Sequence, residues 1–299
     1  MTYISRLARR DLLKSTAVAV LFSGGISALP IRVQAEEAKK SHLKLALKYS
    51  MIGGDAPIDE KIALIKRIGY DGVEIDSPSN LNLDDLNAAC KKHGIAVHGT
   101  IDSIHWDKTL SHPDETVRAQ GLKGLLTAIE DCHKVGGTTA LLVPGVVNKD
   151  VTYEQCYERS QAEIKKAIPL ADKLGVKIAI EVVWNNFITK PEQLVQYVDD
   201  FGTDTVGAYF DCSNMLKYGV PAAEWIRKLD KRMLKFDFKG YNADTQKWVE
   251  IGQGTEDWPE VLKALDEIGY TGWATSEVGG GDEAHLTKVY QQMQKVLTK

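Results

Sequence analysis

From about residue 43 onward the chain alternates between two hydrophobic patterns. One is a short apolar run, as expected of a strand buried on both faces of a parallel sheet. The other is a longer amphipathic stretch with a basic residue near its end and a glycine just after it. Lys92-His93-Gly94, Lys134-Val135-Gly136 and Lys173-Leu174-Gly175 each lead into an apolar run, as do Gly69-Tyr70-Asp71-Gly72 and Gly269-Tyr270-Thr271-Gly272. A cation in a last helical turn offsets the helix dipole, and a following glycine adopts the left-handed cap. These junctions therefore read as helices turning into strands.

Counting the apolar runs predicts strands at 43–47, 73–76, 95–101, 140–143, 177–181, 206–211, 233–238 and 273–277. Helical patterns such as 114–135 and 153–174 follow each strand, except that the helices after the sixth and seventh are short or delayed. Eight strand–helix units in this length match an α/β fold of the (β/α)8 TIM-barrel type. An open doubly wound sheet is the second choice, and it is weakened because no GxGxxG follows the first strand.

Composition narrows the class of partner. The 299 residues are 43% hydrophobic and 26% charged, which is ordinary for a globular protein and excludes wholesale disorder. A net charge of −4 argues against nucleic acid or an anionic membrane surface as the main partner. Residues 1–35 have a different character. Arg9-Arg10 precedes a weakly apolar, Gly/Ser-diluted run at 15–29 and a small residue, Ala35. This is the layout of a cleaved secretory signal, and the paired arginines suggest the twin-arginine type. The run is too short and too polar to be a good membrane anchor. The expectation is an exported, periplasmic protein with no stable membrane insertion after cleavage, whose domain covers 36–299. Cys90, Cys132, Cys156 and Cys212 show no CxxC or metal-ligand spacing and read as buried free thiols. A homo-oligomer is compatible with the sequence but nothing in it demands one.

The chemistry of such barrels sits at the C-terminal ends of the strands. Those ends carry Glu74 and Asp76, then Asp102 with His105 and Trp106, then Glu181 with Trp184 and Asn185. They continue with Asp211 and Asn214, Asp237 and Lys239, and Glu277. A lone carboxylate at a strand end often caps a helix or pairs with a nearby lysine. Glu181, Asp211, Asp237 and Glu277 close four consecutive strands, and carboxylates crowded in a low-dielectric mouth must protonate or bind a cation. Oxygen donors suit one hard divalent ion, Mn²⁺ or Mg²⁺. Gly252-Gln253-Gly254 has a weak likeness to a phosphate cradle.

Residues 43–296 resemble the xylose isomerase-like TIM-barrel superfamily of sugar and sugar-phosphate isomerases and epimerases, which includes hydroxypyruvate isomerases and ketose 3-epimerases. The matching segments include Gly69-Tyr70-Asp71-Gly72-Val73-Glu74, His105-Trp106 and Val143-Pro144-Gly145. Ile180-Glu181-Val182-Val183-Trp184-Asn185, Ala208-Tyr209-Phe210-Asp211 with Asn214, and Asp257-Trp258-Pro259 also match. The resemblance implies one divalent metal held by a Glu, an Asp, a His and a second Glu. Glu181, Asp211 and Glu277 occupy three of these positions. At the fourth, this chain reads Phe236-Asp237-Phe238-Lys239-Gly240, with Asp237 where the His belongs and Gly240 in place of a trailing Asp. Either Asp237 substitutes as an oxygen ligand, which is the expectation, or the metal is weakened or lost.

The reaction implied by the resemblance is proton abstraction next to a sugar carbonyl, with the metal stabilising the enediolate. Glu181 and Glu277 are then the two proton carriers, and Lys239 either stabilises the enolate oxygen or pairs with Asp237. Glu74, His105, Trp106, Trp184, Asn185, Asn214 and Lys239 are the expected substrate contacts, although Glu74 could equally pair inside the barrel. An exported enzyme would meet an unphosphorylated keto-sugar. Two alternatives remain open: a keto-glycoside lyase using the same enolate, and a non-catalytic sugar-binding barrel.

Overall fold

Each predicted apolar run is a strand in the structure, a computed structural model that describes residues 43–298. The strands are β1 (Lys44–Lys48), β2 (Gly72–Ser77), β3 (Ala96–Asp102), β4 (Thr139–Leu142), β5 (Lys177–Glu181), β6 (Val206–Asp211) and β7 (Met233–Phe238). A two-stranded hairpin follows, β8 (Tyr241–Asn242) with β9 (Lys247–Trp248), and then β10 (Trp273–Ser276). The eight long strands form a closed parallel ring in the order β1, β10, β7, β6, β5, β4, β3, β2. Closure is direct, with Ala46 opposite Gly72 on one side of β1 and Lys44 opposite Trp273 on the other. The open doubly wound sheet is thereby excluded.

The helices are α1 (Ile58–Ile68), α2 (Leu83–His93), α3 (Glu115–Lys134), α4 (Tyr153–Leu174), α5 (Pro191–Asp199), α6 (Ala222–Leu229), α7 (Trp258–Glu267) and α8 (Glu283–Leu297). Their ends show the expected chemistry. Asn82 accepts from the first free N–H groups of α2, and Thr152 and Gln155 form a reciprocal capping box on α4. α4 stops at Gly175, whose φ of 68° lies in the left-handed region. After β6 the chain makes only a 3₁₀ turn (Asn214–Tyr218) before the short α6, and after β7 it makes the hairpin before α7. The delayed helices were legible, but the hairpin that delays the second was not.

The main apolar core lies between the strands and the helix layer, while Ile101, Leu141, Ala179 and Tyr209 form a separate small cluster. All four cysteines are buried and unpaired, as read from the sequence. The proposed signal at 1–35 lies outside the described residues. Among the described residues no helix is long and apolar enough to cross a membrane.

Candidate active site

The parallel register lifts the strand-end carboxylates to one height. Asp211 sits opposite Asp237, and Glu181 is opposite Tyr209 on the same β6. Glu277 follows the last residue of β10 and is fixed by donating its N–H to the Phe238 carbonyl at 3.1 Å. Glu181, Asp211, Asp237 and Glu277 each present an oxygen within 4.8 Å of those of the other three. The sequence prediction of a four-carboxylate cluster is therefore met in geometry.

Two lysines penetrate the cluster. Lys239 Nζ lies 3.1 Å from Asp211 Oδ2 and 2.5 Å from Glu277 Oε2, not beside Asp237 as its alternative role required. Asp237 is instead met by Lys48, at the end of β1. Lys48 Nζ lies 3.1 Å from Glu277 Oε1, 3.4 Å from Asp237 Oδ2 and 3.9 Å from Glu74 Oε2. Lys48 is absent from the sequence prediction because the first strand was expected to stop at residue 47, one short of it. The available signal was a lysine closing the apolar run Leu45-Ala46-Leu47. Burial works against the Lys48 ammonium, but Asp237, Glu277 and Glu74 hold its pKa well above the usual lysine value.

The carboxyls respond unequally. Burial also opposes the Glu277 charge, yet Lys48 and Lys239 hold that carboxyl down to about 2. Burial, with the neighbouring Glu277 charge, pushes Glu181 up to about 8. Burial pushes Asp237 well up despite Lys48. Without a cation the cluster therefore retains protons. Two ammonium groups offset only two of the four carboxylate charges, and the contacts of Asp211 Oδ2 with Lys239 at 3.1 Å and of Asp237 Oδ2 with Lys48 at 3.4 Å are ion pairs rather than aligned hydrogen bonds. A deficit of positive charge and an all-oxygen donor set fit a hard divalent ion.

Below the cluster a buried polar layer locks Asp237 in place. The Tyr209 hydroxyl lies 2.8 Å from Asp237 Oδ1 and 3.0 Å from Glu74 Oε2. One hydroxyl proton cannot serve both, so one contact is made by a proton on a carboxyl, and burial pushes Glu74 up to about 7. Glu74 does not reach the cleft. It is fully buried among Tyr209, Lys48 and His98, which corrects its assignment as a substrate contact.

Above the cluster is a cavity of about 820 Å³, lined in part by His105, Trp106, Trp184, Asn214 and Lys239, all five predicted. Asn185 is not among its lining residues. Its side chain bonds the Gly145 carbonyl and the Phe187 N–H, so it holds loops together. Asn214 reaches Glu181 Oε1 at 3.4 Å, and Asp211 Oδ1 accepts from both the Ser213 and Asn214 N–H groups at 2.7 Å. His105 Nδ1 accepts from the Val143 N–H at 3.3 Å, which leaves the proton on Nε2. Burial holds this ring down to about 3, so it is a neutral donor. Asp102 also lines the cavity; its Oδ2 is buried without a hydrogen bond, and burial pushes its carboxyl up to about 7.

The Gly252–Gly254 segment is not a phosphate cradle. The Glu256 carboxylate lies against Gly254 and accepts the Tyr241 N–H at 2.6 Å and the Ser213 hydroxyl at 2.7 Å. A negative group at that turn repels phosphate.

Residues 62–299 match the family described as xylose isomerase-like TIM barrel. An inosose isomerase from Bacillus velezensis is 25% identical over 246 residues, covering 76% of this chain and 85% of that protein. Among solved structures, an IolI protein with a bound zinc atom superposes with a TM-score of 0.72 at 21% identity, covering 85% of this chain and 98% of that one. The apo form of YcjR, a 3-keto-D-glucoside 4-epimerase from E. coli, superposes with a TM-score of 0.73 at 18% identity, covering 86% and 100%. With the fold, the strand-end carboxylates and a match over most of its length in agreement, the chain belongs to the xylose isomerase-like TIM barrel family.

Proposed function

We propose that this protein is a divalent-cation-dependent sugar isomerase or epimerase acting on an unphosphorylated keto-sugar. The observation that carries the reading is one cleft floored by four strand-end carboxylates, Glu181, Asp211, Asp237 and Glu277, whose oxygens lie within 4.8 Å of one another. Glu277 is kept ionised by Lys48 and Lys239, and Glu181 is pushed toward its protonated form. An ionised carboxylate beside a protonated one supplies an acceptor and a donor for removal and return of a proton at the carbon next to a carbonyl.

Glu277 is the base in this scheme and Glu181 the proton donor. Glu181, Asp211, Asp237 and Glu277 would hold the cation, Mn²⁺ or Mg²⁺ by donor hardness, and when bound it supplies an electrophile that lowers the cost of the enolate. Lys239 keeps fixed positive charge beside the cleft, where negative charge develops on the carbonyl oxygen. The neutral His105 ring presents its Nε2–H to a carbonyl or hydroxyl.

An unphosphorylated substrate is supported by the wall of the cleft. Asp76, Asp102, Glu181 and Glu277 line it, no arginine among the described residues does, and both of its lysines are already ion-paired. The names of two relatives, an inosose isomerase and a 3-keto-D-glucoside 4-epimerase, support a ketone substrate. Export through residues 1–35 belongs to the same proposal, and N-terminal sequencing of the mature protein tests it.

The experiment is NMR of free ketoses and 3-keto-glycosides in D₂O with the protein and Mn²⁺ or Mg²⁺. Deuterium should enter next to the carbonyl, and Glu277→Gln should slow this by at least ~10². An eliminated product would make the enzyme a lyase. No exchange across the panel at saturating metal sinks the enzymatic reading and leaves a sugar-binding barrel.

A further inference from the structure

We propose that the mouth of the cleft carries a second sugar-ring subsite, built around Trp248 of the β8–β9 hairpin, so that the reacting keto-sugar is bound as part of a glycoside. This deepens the reading above and rests on it.

Among the described residues the exposed large hydrophobic side chains are Trp106, 52% exposed, and Trp248, 49% exposed. Both line the same cavity. They stand on the segments after β3 and β7, which lie on opposite sides of the eight-stranded ring. Large apolar side chains left in water at the rim of a polar cleft mark a ligand-binding groove more often than they serve folding.

The Trp248 wall is held rigid from behind. Trp248 stacks on Trp184 with centroids 4.9 Å apart and an interplanar angle of 19°, and Tyr241 meets both rings at 5.2 Å. Trp184 is pinned by donating to the Asn214 carbonyl at 2.8 Å and by Lys217 Nζ, 4.4 Å from its ring centre. Its fixed orientation presents a ring to a ligand at little entropic cost. Rim positions between the walls carry hydroxyl and amide groups, including Ser79, Asn80 and Ser103. Aromatic faces for C–H surfaces beside neutral hydrogen-bonding groups are the chemistry that recognises a pyranose ring.

Size points the same way. Ligand pockets run from roughly 300 to 1,000 Å³. The cleft is about 820 Å³, and a second cavity of about 690 Å³ continues from it, sharing Lys239, Trp248 and Glu277. A single sugar at the acidic cluster would leave most of this trough, and the exposed surfaces of both tryptophans, uncovered.

The test is calorimetric titration of the full-length protein with Mn²⁺ present. The probes are sucrose, trehalose, maltose, cellobiose and lactose, each beside its component monosaccharides. At least one disaccharide should bind ten-fold or more tightly than its monosaccharides. That ratio should fall to two-fold or less in Trp248→Ala and return in Trp248→Phe. If Trp248→Ala does not fold, Trp106→Ala on the opposite wall reads the same ratio. Ratios near one in the wild type, no binding by any disaccharide, a ratio that survives the alanine variants, or a phenylalanine variant that fails to restore it would overturn the subsite. Deuterium exchange keeps the two ideas apart. Exchange without the disaccharide preference removes only the subsite, whereas the preference without exchange removes the proposed chemistry and leaves the subsite standing.

Discussion

Asp237 sits where relatives are expected to carry a metal-binding histidine, and its surroundings are built for a carboxylate. Tyr209 donates toward one oxygen and Lys48 faces the other. We expect Asp237→His to retain a divalent ion while moving its preference toward borderline metals such as Zn²⁺, because imidazole is the softer donor. Competition between Mn²⁺ and Zn²⁺, read by metal analysis after dialysis, checks this. Complete loss of metal would mean that the oxygen donor is indispensable.

Asp102 tests a different balance. Its carboxyl is fully buried with one oxygen unpaired, and burial pushes its pKa up to about 7, above the unfolded value of about 3.9. The folded state therefore binds the proton more tightly, and this group's contribution to stability is lost as pH rises from about 4 to 7. The cost above pH 7 is on the order of 4 kcal/mol. Asp102→Asn should be more stable than the wild type at pH 8 and nearly equal to it at pH 4. Thermal melts at both pH values check the sign. Glu181, Asp211, Asp237 and Glu277 were legible at this scale because each ends an apolar run. Lys48 was equally well placed, but its role depends on partners from three other strands.

At the scale of elements, α3 carries glycines where a helix would ordinarily prefer alanine. A Cβ on Gly121 would overlap the Lys108 carbonyl oxygen, and one on Gly124 would come within 2.5 Å of Ile104 Cδ1. These glycines let the segment after β3, which bears His105 and Trp106, lie flat on the helix. Alanine gains about 1 kcal/mol of helix propensity over glycine. We nevertheless expect Gly121→Ala to destabilise by about 1–3 kcal/mol through overpacking. A melting temperature lowered by several degrees, with impaired sugar binding, is the expected result. A higher melting temperature would show that the loop yields easily. The strands and long helices were readable because each repeats its period several times. The hairpin was not, since strands of two residues carry no period.

For the whole molecule, the acidic cluster draws its side chains from β5, β6 and β7 and the end of β10, so it exists only when the ring is intact. A cation bound there stabilises the fold by about 2.7 kcal/mol at a hundred-fold excess over its dissociation constant. For a domain of this size that is roughly 5–10 °C in melting temperature. Mn²⁺ should raise the melting temperature by that amount, reversibly with EDTA. The effect should be larger at pH 8 than at pH 5.5, because protons on Glu181 and Asp237 compete with the ion. A shift that is absent or independent of pH would remove the cluster as the binding site.

The order of strands and helices, their capped ends and the acidic residues that close four of the strands are all legible in the chain alone. Those features follow from backbone and side-chain preferences acting over a few residues. Tertiary structure alone decided that the sheet closes, that Lys48 rather than Lys239 faces Asp237, that Glu74 turns into the interior, and that Trp248 is brought to the cleft. Each depends on strand register and on which charges share a low-dielectric space, and a neighbour two hundred residues away leaves no mark on local periodicity.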